Sequence, residues 1–539
     1  MKTSRYLPAL ALLASVFLPS GLSAQNRQPS RVVVGVELDM EWPHPLVFAR
    51  PLDADLTDML YMGLVRATWR NGQMTYLTAR QDPMAMAHRF ARTPTRNGGM
   101  ALTFNMRSDL RWSDGRPLTA HDVAWTFRAL RSPELASPRQ GMAEKVDSVV
   151  ARNDSTVVFY FPHPTSEDLS IAHHPIVPAH AHRGVDLKHL RAHPSITQPE
   201  GSAGNPGLVT SGPFRVGRWA RSSRITFVRN PYFRPAARVD EVVVAVIPDE
   251  EVRLVEFRKG NVDLLSLSLT RAADARARPG ARVIPLGQRS YTFIGYNPVT
   301  VPAFRDPEIR RAFGMALNVP ALMRALGIDD QVVRVAGPYP PAFRLFADSR
   351  VRPLPHDLAA ARRILTQKGW LDRDGDGIRE KDGQRLSFTY AVPGNNRLHE
   401  DIAVYAQHEW KKLGAEVSIQ KMDPASLREA RVKRTFQVTT YSWYIDLSGS
   451  LGVFFDPDAR LNFTSYRNPA VGDYFRKAER EPDPASAARH WREAAYLIYR
   501  DQPYTWLWSG DRAAALSPRL RNAYVSLYGL WENPWAWQV

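Results

Sequence analysis

The chain has 539 residues, 44% of them hydrophobic and 23% charged, which are ordinary values for a soluble globular protein with a large core divided into about two or three domains. Its net charge is +17, from 71 Lys and Arg against 54 Asp and Glu. The basic residues are scattered and no nucleic-acid-binding motif accompanies them, so a nucleic-acid partner is not expected; the charge is read as a solvated basic surface, with an anionic membrane or acidic ligand as the alternative. Cysteine is absent, which excludes a thiol nucleophile, disulfides and a lipid-modified cysteine.

Lys2 and Arg5, the apolar run Leu7–Leu18 and the small pair Ser23-Ala24 form a signal-peptide pattern over residues 1–24. The run is shorter than the ~20 apolar residues of a spanning helix. The expectation is a periplasmic protein, exported by this leader and not lipid-anchored.

Arg31–Val36 reads as a short buried strand, and Leu60-Tyr61-Met62-Gly63-Leu64-Val65 follows. Leu102–Leu130 is the most structured stretch. Leu102, Phe104 and Met106 alternate with polar residues as in a half-buried strand. Trp112–Pro117 is a turn, and Thr119 with Asp122 three residues on opens a helix whose buried face is Val123, Phe127 and Leu130. Val146–Val150 and Ser155–Phe161 read as paired strands, and the Pro- and Gly-rich stretch 193–208 as a loop. Further strands are expected at Phe214–Trp219, Ile225–Val228, Val239–Ile247, Tyr291–Tyr296, Glu416–Ile419 and Pro503–Trp508. Helices are expected at Glu251–Arg258, Asp357–Lys368, Ile402–Leu413 and Ala485–Tyr499.

Taken as a whole string, Ser113-Asp114-Gly115, Pro117-Leu118-Thr119-Ala120 and Asp122-Val123 resemble the signature of family 5 extracellular solute-binding proteins, the peptide-binding receptors of ABC importers. Leu60–Val65, Pro175–His180, Thr210–Phe214, Gly260–Asp263 and Phe304–Ala312 resemble successive landmarks of the same family. Met62 replaces an acid there, and Ala316-Leu317-Asn318-Val319 lacks an acid and a base of the family pattern. The resemblance covers residues ~31–539. It implies an α/β fold of the two-lobed periplasmic-binding-protein type (class II-like, cluster C) with an extra inserted domain. Lobe I would comprise 25–62, 175–285 and 510–539, the inserted domain 63–174, and lobe II 286–509.

Thr440–Asp446 resembles the family's strand end, where an aspartate pairs with the α-amino group of the ligand and an aromatic walls the site. It implies Asp446 as the anchor, with Tyr441, Trp443 and Tyr444 beside it; a buried ammonium needs such a carboxylate. Leu447-Ser448-Gly449-Ser450 departs from the family here. Asp53 and Asp55 lie where some relatives place a second acid, and Asp53 is taken as ligand-binding.

Asp372, Asp374, Asp376 and Gly377 imitate the start of a calcium loop, but Gly383 stands where a bidentate glutamate closes such a loop, so a plain turn is the stronger reading. His173, His174, His180 and His182 cluster without zinc-site spacing. No hydrolase nucleophile motif or phosphate-cradling glycine loop is present. The resemblance implies a monomeric receptor without a cofactor, which captures peptides and passes them to a permease and ATPase complex. A non-peptide cargo (oligosaccharide, nickel chelate or haem) on the same fold, and a secreted hydrolase, remain the alternatives.

Overall fold

The computed structural model describes residues 29–539 apart from 49, 71–72, 287–288, 446–448, 460, 511 and 527–528. Arg31–Val36 is the central strand of a seven-stranded sheet. It pairs in parallel with Glu241–Val246 and with Leu264–Ser268. Val32 and Val34 are fully buried on one face, and Val33 packs under the helix Glu250–Lys259 on the other, which explains an unbroken apolar run. Arg512–Leu516 and Arg282–Leu286 extend this sheet on one side, and Arg224–Arg229 and Phe214–Ala220 on the other.

A second, six-stranded mixed sheet runs Val333–Arg334, Tyr504–Ser509, Ser290–Tyr296, Val438–Tyr444, Ser387–Pro393 and Glu416–Met422. A four-stranded antiparallel sheet is made by Ala87–Pro94, Met100–Met106, Thr156–Phe161 and Ser148–Asn153. The helix Ala120–Leu130 covers it, with the Phe127 and Phe159 rings edge-on at 4.9 Å. The molecule is thus mixed α/β with two lobes, one on each large sheet, and the small sheet lies on the first. Trp531 and Trp537 of the aromatic C-terminus pack into the core of the first lobe.

The sequence landmarks converge at one junction. The Leu60 carbonyl, at the end of the helix Pro51–Leu60, accepts from Ser211 N at 3.1 Å and Gly212 N at 2.7 Å. Ser113 N donates to the Thr210 carbonyl (2.7 Å), and Thr210 N returns to Ser113 Oγ (3.0 Å). Glycine is required at two places here. A Cβ on Gly212 would lie 2.3 Å from the Met59 carbonyl oxygen, and one on Gly63 2.3 Å from that of His173.

Asp122 is the buried hub next to this junction. Its carboxylate accepts from Thr119 N at 2.9 Å, Ala179 N at 2.8 Å and Trp112 Nε1 at 3.3 Å. Asp122→Ala leaves the buried Trp112 Nε1 and the half-buried Thr119 and Ala179 amides unpaired and should cost about 3 kcal/mol, whereas Thr119→Ala, a loss at the helix cap, should cost about 1 kcal/mol. Urea unfolding with an unchanged slope checks both, and equal costs would contradict the hub role.

Candidate functional site

A cavity of about 530 Å³ opens between the lobes. The helix Pro51–Leu60 contributes Asp55 and Asp58, three residues apart and so on one face. The hairpin Arg66–Arg70 and Gln73–Leu77 contributes Ala67, Met74 and Tyr76. Arg139, Lys145 and Glu167 form the rim on the small-sheet side, with Lys145 and Glu167 ion-paired. Arg289, Ser450 and Val453 close the cavity from the second lobe.

The hairpin also straps the lobes together. Trp69 is only 7% exposed because its ring sits 4.8 Å from Phe343, inside the aromatic core of the second lobe. One wall of the cavity is therefore fixed by a side chain anchored across the cleft.

Two acids of this region are raised by burial in spite of the cations near them. Burial, then the charge of Asp58, pushes the Asp55 carboxyl up to about 7, against the opposing pull of Arg289 and Arg66. Glu532 lies behind the hairpin, where burial likewise raises it to about 7; Thr68 Oγ1 donates to it at 2.8 Å. Arg66 is buried between them, with Nη1 3.7 Å from Asp58 and Nη2 3.3 Å from the Glu532 carbonyl. The lining thus offers carboxylates on one side and the guanidinium groups of Arg139 and Arg289 on others. It can take up a ligand bearing both charges.

Asp446 lies outside the described residues. Trp443 is 6% exposed and belongs to the core: Nε1 donates to Tyr504 Oη at 3.2 Å, and Phe454 packs at 4.6 Å. Tyr441 is half-buried, edge-on to Trp443 at 4.8 Å, with the Arg431 guanidinium 4.2 Å above its ring. Tyr444 is 49% exposed, and Arg289 stands 5.9 Å from its ring. None of these three lines the described cavity, although Tyr444 neighbours a residue that does. Asp53 is fully buried and accepts from Glu41 N at 2.8 Å, so it ties down the start of its helix; Asp55 is the acid that lines the cavity.

Asp372, Asp374 and Asp376 bring carboxylate oxygens within 4.8 Å of one another at an exposed turn. These oxygens already serve the turn, accepting from Gly375 N, Gly377 N, Asp376 N and Ile378 N, and Arg385 pairs with Asp376. The histidines are likewise bound into the fold. His180 Nε2 meets Asp114 at 2.8 Å. His182 Nδ1 donates to the Pro178 carbonyl at 2.8 Å, and its Nε2 faces that of His44 at 3.0 Å. Burial lowers His182 to about 4 and His174 to about 3 and holds His44 well below its ordinary value.

Residues 90–458 match the family model of the bacterial extracellular solute-binding proteins, family 5. The chain belongs to that family. It is 25% identical over 441 residues to the oligopeptide-binding protein AppA of Bacillus subtilis (strain 168), covering 79% of this chain and 78% of that one. It is 30% identical over 452 residues to Protein XP55 of Streptomyces lividans, covering 80% and 77%. The structure of AppA from Bacillus subtilis in complex with a nonapeptide superposes with a TM-score of 0.73 at 22% identity, over 95% of this chain and 100% of that one. The family is extracellular and consists of binding proteins rather than enzymes. Among the described residues no helix is long and apolar enough to cross a membrane.

The raised carboxyls give a signed pH dependence. Asp55 and Glu532 hold their protons up to about pH 7 in the fold and release them near pH 4 when unfolded. Their ionisation therefore costs nothing below about pH 4, and the destabilisation grows until about pH 7. The buried histidines act in the opposite sense below about pH 6.5, in wild type and variant alike. The stability advantage of an Asp55→Asn, Glu532→Gln double variant should thus widen from pH ~4.5 to pH ~8. Melting temperatures at successive pH check this, and a constant difference would contradict the raised values.

Proposed function

We propose that the chain is the substrate-binding component of an ABC importer, capturing peptides between its lobes and delivering them to an inner-membrane permease and its ATPase. The observation that carries this reading is the cavity between the lobes, whose lining sets Asp55 and Asp58 against Arg139 and Arg289. A free peptide carries an ammonium at one end and a carboxylate at the other, and buried charges need partners of opposite sign. Membership of the solute-binding family and the peptide bound by AppA support the same cargo.

In this reading Asp446 anchors the α-amino group, and the exposed Tyr444 and Arg289 shape the pocket near it. The protein works as a monomer in the periplasm after removal of residues 1–24, without a lipid anchor. No bond is made or broken, and no cofactor or nucleic acid is called for. Lobes with the boundaries given by the sequence close on the ligand by a hinge movement.

Native mass spectrometry of the protein purified from its source should show co-purified peptide. A ligand mass that is not that of a peptide would overturn the cargo and leave the fold standing. Asp446→Asn should weaken binding of that peptide by about ten- to a hundredfold, the worth of a charge-assisted hydrogen bond. Unchanged affinity by calorimetry would remove Asp446 as the anchor.

A further inference from the structure

Five arginines stand between residues 214 and 229, and they divide into two groups. Arg221 stacks on Trp219 and donates to the Thr197 carbonyl, and Arg229 pairs with Asp240 at 2.9 Å. Arg215, Arg218 and Arg224 are exposed and have no partner among the described residues.

A β-bulge gathers these three on one face. Residues three apart on a regular strand point to opposite faces. The register of Phe214–Ala220 against Arg224–Arg229 shifts between Val216 and Arg218, so that Arg215 opposes Val228 and Arg218 opposes Thr226. Val228 and Thr226 lie two apart and share a face, and Arg224 is two further along the same strand. Val216 and Trp219, also three apart, accordingly both point into the core. The extra residue is Gly217, and bulges commonly re-aim side chains in this way.

The three arginines surround an open groove of about 640 Å³ floored by Gly217, Ala220, Ser223, Thr226 and Val228. Arg31 also reaches the groove, but Glu241 neutralises it at 2.7 Å. The floor carries no aromatic or long aliphatic side chain, so it does not suit an apolar partner. Three free guanidinium forks suit phosphate oxygens. Guarding the sheet edge would need charge only on the end strand Phe214–Ala220, yet Arg224 lies on the next strand in. The groove is shallow and open, and the chain carries +17 overall, which fits an extended layer of anionic headgroups rather than an enclosed small anion.

We propose that this arginine face, assembled by the bulge at Gly217, docks the protein on an anionic phospholipid surface. It shares no residue with the cavity between the lobes and holds whatever the cargo is.

The test is sedimentation of the purified full chain with phosphatidylcholine vesicles containing phosphatidylglycerol, at low salt. An arginine near such a surface strengthens binding about fivefold, so R215S/R218S/R224S should lower vesicle affinity on the order of a hundredfold. R215S alone should lower it about fivefold, which keeps the test valid if the triple variant folds poorly. A control triple, R324S/R363S/R428S, removes equal charge from exposed sites elsewhere and should retain most of the binding. Equal loss in both triples, or no binding by wild type, would overturn the proposal. So would displacement from vesicles by inorganic phosphate at matched ionic strength, which would mark the groove as a site for the free anion.

Discussion

The structure depends on the clamped end of one short helix. The carbonyl of Leu60 holds two backbone N–H groups from Ser211 and Gly212, and this close approach is open only to a residue without a Cβ. The clamp fixes the phase of Pro51–Leu60, and the phase decides which acids reach the cavity. Asp55 and Asp58 point into it, while Asp53 turns back to the Glu41 amide. The same junction ties the small sheet to the first lobe through Ser113 and Thr210. Fold markers and ligand cavity are therefore joined mechanically, and Pro175 belongs to both.

Inside a strongly basic protein the cavity lining carries acids and bases together, Asp55, Asp58 and Glu167 with Arg139, Lys145 and Arg289. Arg66 is the buried guanidinium among Asp58, Glu532 and Asp55, and it cannot neutralise all of them. Part of that acidity is held as protonated carboxyl, which lowers the cost of burying the groups without a ligand. A cationic ligand group entering the cleft would shift the balance toward the ionised form. Capture of such a ligand would then be linked to proton release from Asp55, the raised carboxyl that lines the cavity.

The local units were legible in the sequence because their patterns are contiguous. Arg31–Val36 and the strand, turn and helix within 102–130 occupy the places that periodicity and capping residues indicate. Helix starts were less well marked: the helix expected from Ile402 begins at Arg397, because Asn396 caps it through His399 N. The site was less legible for a physical reason. Its charges come from helix, rim and opposite lobe, and nothing in linear spacing links Asp55 to Arg139 or Arg289. Strand alternation sends Tyr441 and Trp443 toward the core of the second lobe, which an aromatic-rich motif alone does not reveal. The bulge at Gly217 is a similar case, since it changes which arginines share a face without changing the sequence pattern.

The central claim is that the two lobes close on a ligand held between them. The chain has no cysteine, so a single introduced pair can carry fluorophores without background labelling. Gly141→Cys, where an added Cβ meets open space, and Lys477→Cys, exposed on the second lobe, place one dye on each side of the cleft. Energy transfer between them should rise on addition of the co-purified peptide and fall back when the peptide is removed. Transfer that stays constant while calorimetry shows the peptide bound would contradict the account.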